Sequence, residues 1–151
     1  MHVQSMAHSL SPGSAPAPDI INTLEESELS RLEQKLCDQA PLSQKARWLN
    51  DYLDLGLELA CRAGERRLTR LQTSWVQRLY QTLRASALSH DAPLGWRSLC
   101  ADYLYQPYFA LVHLYRINPA CSQQLRYLTH EFTLICQRCR QAGKENGRGP
   151  H

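Results

Sequence analysis

From Ser43 to Ser89 the chain contains no proline, and its apolar positions fall in a three-four-four rhythm. The stripe reads Ala46, Leu49, Leu53, Leu57, Ala60, Gly64, Leu68, Leu71, Trp75, Leu79. Ala46, Leu57, Leu68 and Leu79 are equivalent positions, as are Leu49, Ala60 and Leu71. Such a repeat corresponds to about 3.67 residues per turn, close to a straight α-helix. One continuous helix here would span roughly 70 Å at about 1.5 Å per residue. That is too long for the interior of a domain of 151 residues. It must lie on other long helices, on another chain, or on an apolar surface. The expected fold is therefore all-α: an elongated antiparallel helical bundle with one long amphipathic helix, oligomerising through helix packing.

The flanking segments read as follows. Residues 1–18 are rich in Ser, Pro and Ala and are expected to be disordered. Residues 19–40 form a short acidic amphipathic helix, with Leu29, Leu32 and Leu36 on one face. Thr23-Leu24-Glu25-Glu26 fits a capping box for its start. Pro41 breaks it, and Ser43 can cap the long helix. Ala92-Pro93-Leu94-Gly95 reads as a turn. A further helix runs from about Trp96 to Ile117, with a kink expected near Tyr103–Pro107 because proline removes a helical hydrogen bond. Asn118-Pro119 restarts the chain as N-cap and first helical residue. The last helix shows Cys121, Leu125, Leu128, Phe132, Ile135 and Cys139 at helical spacing. Gly143 can end it, leaving residues 143–151 as a disordered tail. The main helical domain is thus 43–142, and no β-alternation with turn signals is visible.

Net charge is +3, too weak to indicate a specific nucleic-acid partner. Its distribution says more: residues 1–45 carry six acids and three bases, whereas 46–89 and 90–151 each carry seven bases and four acids. The acidic first segment can dock on the basic remainder, within the chain or between chains. No stretch approaches the roughly 20 apolar residues of a membrane span. Residues 1–18 lack both the basic start and the apolar run of a signal peptide. Six cysteines without an export signal read as reduced cytosolic thiols.

Few constellations suggest chemistry. Cys136-Gln137-Arg138-Cys139 has CxxC spacing, but a structural zinc site needs two more ligands and the sequence offers no second pair. These cysteines read as ordinary helical thiols. His113 and His130 lie on consecutive helices and are expected to face each other across the Asn118-Pro119 turn as a polar pair. No Ser/His/Asp set, phosphate-binding glycine loop or HExxH is present. No catalytic residue, metal or cofactor is expected, and the chain reads as a non-enzyme. Asp51, Asp54 and Glu58, with Arg47 and Arg62 four residues away, read as a solvated ion-paired face. Arg62, Arg66, Arg67 and Arg70 form a basic patch that suits an acidic partner helix, for which the first helix with Glu25, Glu26, Glu28 and Glu33 qualifies. Trp96, Tyr103, Tyr105, Tyr108, Phe109 and Tyr115 are the densest aromatic stretch. Tyrosines there serve either as core with hydroxyls at the rim or as residues at an apolar–water boundary.

Leu104-Tyr105-Gln106-Pro107, then Tyr115 eight residues after the proline with Arg116 beside it, resembles the motif of the bacterial phasins. Those sequences commonly read leucine-any-glutamine-proline, followed by a tyrosine at that offset and an arginine shortly after. The similarity spans about residues 45–142, so that 43–142 reads as a phasin-like domain. Three features depart from the pattern: Arg116 comes one place early, Asn118-Pro119 interrupts the helix, and Trp, Cys and Arg are unusually frequent. The resemblance implies a cytoplasmic, non-enzymatic coat protein on polyhydroxyalkanoate granules, self-associating and controlling granule size and stability. Leu49, Leu53, Leu57, Leu68, Leu71, Trp75, Leu79, Tyr105 and Tyr108 are then the expected contact set. The alternative is a helical adaptor or chaperone that pairs the same stripe with a partner protein.

Overall fold

The computed structural model describes residues 16–147, with side chains from 23 to 144. Among these the fold is all-α. The elements are α1 (Pro16–Cys37), α2 (Leu42–Glu65), α3 (Thr69–Leu88), α4 (Leu94–Tyr103), α5 (Tyr105–Arg116), a 3-10 turn (Pro119–Cys121) and α6 (Ser122–Gly147).

The expected single long helix is two helices. The chain leaves α2 at Glu65 and re-enters α3 at Thr69. Arg67 adopts φ 61°, the left-handed region that a side chain disfavours. The Arg67 N–H donates to the Gly64 carbonyl at 3.0 Å, and the Leu68 N–H donates to the Ala63 carbonyl at 2.9 Å. These are the two bonds of a Schellman termination, which satisfies the helix-end carbonyls. Glycine is the usual residue at that left-handed position, and arginine there leaves no punctuation for a sequence reader.

The turn folds the stripe against itself. A Cβ on Gly56 would overlap the Leu79 side chain, and one on Gly64 would overlap Gln72. This pairing of early with late residues makes α2 and α3 antiparallel. Leu49, Leu53 and Leu79 are fully buried, and Trp75 is buried beside them. Most of the stripe is therefore covered within the chain, while Leu68 and Leu71 at its bend stay exposed. Its two halves cover each other, and α1 adds Leu29, Leu32 and Leu36 to the same core. Burying each large apolar side chain is worth roughly 1.5–3 kcal/mol. A left-handed non-glycine residue costs roughly 1–2 kcal/mol, so the turn is outweighed several times over.

α3 is the central helix, packed by α2, α4, α5 and α6. The aromatic region divides as its proline demands. α4 ends at Tyr103 and α5 begins at Tyr105, which places Pro107 in the first turn of α5, where a missing N–H costs nothing. Asn118 caps the following turn by accepting from the Ala120 N–H at 3.1 Å. The apolar face of α6 packs inward as its spacing predicts, with Leu128 and Ile135 buried.

The ends differ from expectation. α1 begins at Pro16, so Thr23 lies inside the helix instead of capping it. Gly143 does not end α6, which continues to Gly147. Residues 1–15 and 148–151, expected to be disordered, lie outside the described residues.

Two substitutions check the hairpin by urea denaturation. Arg67→Gly relieves the left-handed cost and should raise stability by about 1 kcal/mol. Gly56→Val forces a branched side chain into Leu79 and should lower it by about 2–3 kcal/mol.

Candidate functional site

Most of the residues expected to touch a surface are used by the core. Leu49, Leu53, Trp75, Leu79 and Tyr108 are buried, and Leu57 is half-buried. These residues are corrected from contact residues to folding residues: the hairpin brings the α2 and α3 faces together, leaving Leu57 half-open, and α6 covers Tyr108. Tyr108 stacks on Phe132 with ring centroids 3.8 Å apart and planes 7° from parallel. The family-like motif is also structural. Leu104 and Pro107 are fully buried at the α4–α5 break, and Gln106 is half-buried. Tyr115 is buried with its hydroxyl accepting from Gln77 Nε2 at 2.8 Å. Arg116 is exposed in the last turn of α5, where a cation suits the helix dipole.

What remains on the outside forms two apolar groups. Leu68 and Leu71 are 47% and 40% exposed at the tip of the hairpin, interleaved with exposed Arg66, Arg67 and Arg70. Along α5, Tyr105 and Phe109 are 46% and 60% exposed, and His113 and Ile117 continue the line. These four are spaced by four residues and make one ridge on the solvent side of the helix. The Gln77–Tyr115 bond sets the end of α5 beside the first half of α3. Ile117 and Leu71 therefore lie toward the same end of the molecule. Phe109 and Ile117 were absent from the expected contact set, although their spacing from Tyr105 carried the signal.

The acidic first segment does dock on the basic remainder, within the chain. Glu25 pairs with Arg62, which also reaches Glu58 at 3.1 Å. Arg78 Nε donates to Glu33 at 2.8 Å and its Nη2 to Ser30 at 2.9 Å. The Tyr52 hydroxyl donates to the same Glu33 carboxylate, with Thr82 Oγ1 at 2.8 Å. Burial acts to raise the Glu33 pKa, but the Arg78 and Tyr52 hydrogen bonds overcome it and hold the carboxyl below its ordinary range. Burial, reinforced by Glu33, pushes the Tyr52 hydroxyl well up, so it stays a neutral donor. A second clamp repeats the plan: Glu131 of α6 accepts from the Tyr80 hydroxyl at 2.9 Å and from Arg84 Nε at 2.8 Å. Of the expected basic patch only Arg62 is engaged this way. Arg66, Arg67 and Arg70 make no ion pair with the described residues.

Cys136 and Cys139 are half-buried free thiols on α6. Burial raises both pKa values, which lowers their nucleophilicity at neutral pH. The described residues contain no group of three or more His, Cys, Asp or Glu placed to hold a metal. His113 and His130, expected as a facing polar pair, are both exposed and share no hydrogen bond or ring contact with each other. No described helix is long and apolar enough to cross a membrane.

No family model matches the chain, and neither a curated protein nor a solved structure matches it.

The Glu33 cluster sets a pH dependence. A carboxyl whose folded pKa is depressed stabilises the fold above its unfolded pKa, and that contribution is lost as pH falls through the folded value. Stability should therefore fall on acidification below about pH 4, the ordinary carboxylate range. Glu33→Gln should cost about 1–2 kcal/mol at pH 7 and progressively less as the pH is lowered below the ordinary carboxylate range, read by urea titration across that range.

Proposed function

We propose that the protein is a non-enzymatic coat protein that adsorbs to polyhydroxyalkanoate granules in the cytoplasm and so limits their size and coalescence. The observation that carries this reading is the α5 ridge of Tyr105, Phe109 and Ile117, which no described residue covers. The hairpin tip supports it, because apolar residues interleaved with arginines suit an interface between water and an apolar phase. The Leu104-to-Arg116 resemblance supplies the identity of that phase. The contact set differs from the one expected from sequence: it is what the core leaves outside. Self-association belongs to the same proposal, since two copies would share these exposed groups and compete with the granule for them.

A second reading, a helical adaptor or chaperone, is favoured by one observation. Most of the stripe is buried within the chain, so the apolar groups left outside are small enough for one partner helix.

Sedimentation with polyester particles separates the two. The wild-type chain should pellet with the particles. Phe109→Glu combined with Leu71→Glu should leave the protein in the supernatant with its helicity unchanged by circular dichroism. A wild-type chain that stays in the supernatant and captures one defined helical protein would establish the adaptor reading instead.

A further inference from the structure

A second surface feature is independent of the apolar ridge. The end of α1, the start of α2, the end of α3 and the start of α4 enclose an open cleft of about 760 Å³. Its walls are largely apolar, with Leu36, Leu42, Ala85, Pro93 and Trp96 among them. Lys45 lines it and is only 8% exposed. The Lys45 ammonium lies 4.2 Å above the centroid of the Trp96 ring. It has no hydrogen-bond or ion-pair partner among the described residues. The ring face covers one side of the cation, and its three N–H donors still require acceptors. The stem of Lys45 is buried while its ammonium opens on the cleft, so the remaining donors face whatever enters there.

Two helix N-termini point to the sign of that occupant. α2 and α4 start behind Pro41 and Pro93, with no side-chain cap and no acid in the first turn. The two starts adjoin, since a Cβ on Gly95 would lie 3.3 Å from Leu42 Cδ2. Both helices thus bring the positive ends of their dipoles to the cleft that Lys45 lines. The opposing groups are Asp38 and Asp91, both exposed at the lining. Solvent screens them, but they disfavour any ligand carrying several negative charges. An apolar wall, one cation held over Trp96 and opening on the cleft, and an acidic rim together select one negative charge on an apolar body.

We propose that this cleft binds an amphiphilic monocarboxylate, its carboxylate on Lys45 and its chain along Trp96 and Leu42. The full-length protein, labelled with nitrogen-15, is titrated with octanoate, with octanol and with inorganic phosphate while the Trp96 indole N–H is followed. The expected result is saturable binding of octanoate in the millimolar range or tighter, with octanol and phosphate each at least ~10-fold weaker. Lys45→Met, which keeps the apolar stem, should weaken octanoate at least ~10-fold while leaving octanol binding unchanged. Absence of a saturable Trp96 shift with octanoate overturns the proposal, as does equal affinity for octanol or for phosphate. Should Lys45→Met fail to fold, the wild-type comparison of octanoate with octanol decides alone. Particle sedimentation of the wild-type chain reads the granule proposal separately, because the cleft and the α5 ridge share no residue.

Discussion

The left-handed Arg67 is the constraint on which the rest of the structure depends. It converts one amphipathic stretch into a hairpin and so turns a stripe that faced outward into two faces of one core. Gly56 favours this closure: it has no side chain where Leu79 lies, so the Leu79 side chain packs onto the α2 backbone more closely than a Cβ would permit. The local cost at Arg67 is tolerated because it is small beside the burial of Leu49, Leu53 and Leu79. The chain thereby needs no second copy to complete its core.

Once α3 is folded back, it organises the molecule through two polar clamps. Arg78 with Glu33 and Tyr52 ties α3 to α1 and α2, while Arg84 with Glu131 and Tyr80 ties it to α6. In each, an arginine and a tyrosine hydroxyl both donate to one partly buried glutamate. Ion pairs at such sites add little net stability but leave a charge uncompensated if one partner is lost. They fix which helix lies where, and the apolar contacts supply most of the energy.

Function in such a fold resides in what packing leaves over. The core takes most of the periodic stripe and leaves outside Leu68 and Leu71, where the stripe bends, together with Phe109 and Ile117 on the α5 ridge. Lys45 is the converse case. By sequence it is one base among many, yet its stem is buried and its ammonium lies over Trp96. Residues that meet at a cleft drawn from four helix ends leave no mark in local sequence, because they are brought together only by the hairpin and the α3–α4 turn.

The sequence by itself determined the all-α class, the inward faces of α1 and α6, the break beside Pro107 and the cap at Asn118. Each follows from chemistry within one or two helical turns: apolar spacing, a missing proline N–H, a side-chain acceptor. It also determined that acidic residues of the first helix would meet bases further along, as Glu25 does with Arg62. Only the tertiary structure decided where the long stripe ends. Nothing in Glu65-Arg66-Arg67-Leu68 forbids helix, and an eleven-residue repeat runs through it in phase. The hairpin wins because burying two apolar faces against each other is worth more than continuing a helix with one face in water. That comparison involves residues more than twenty positions apart, and no local pattern contains it.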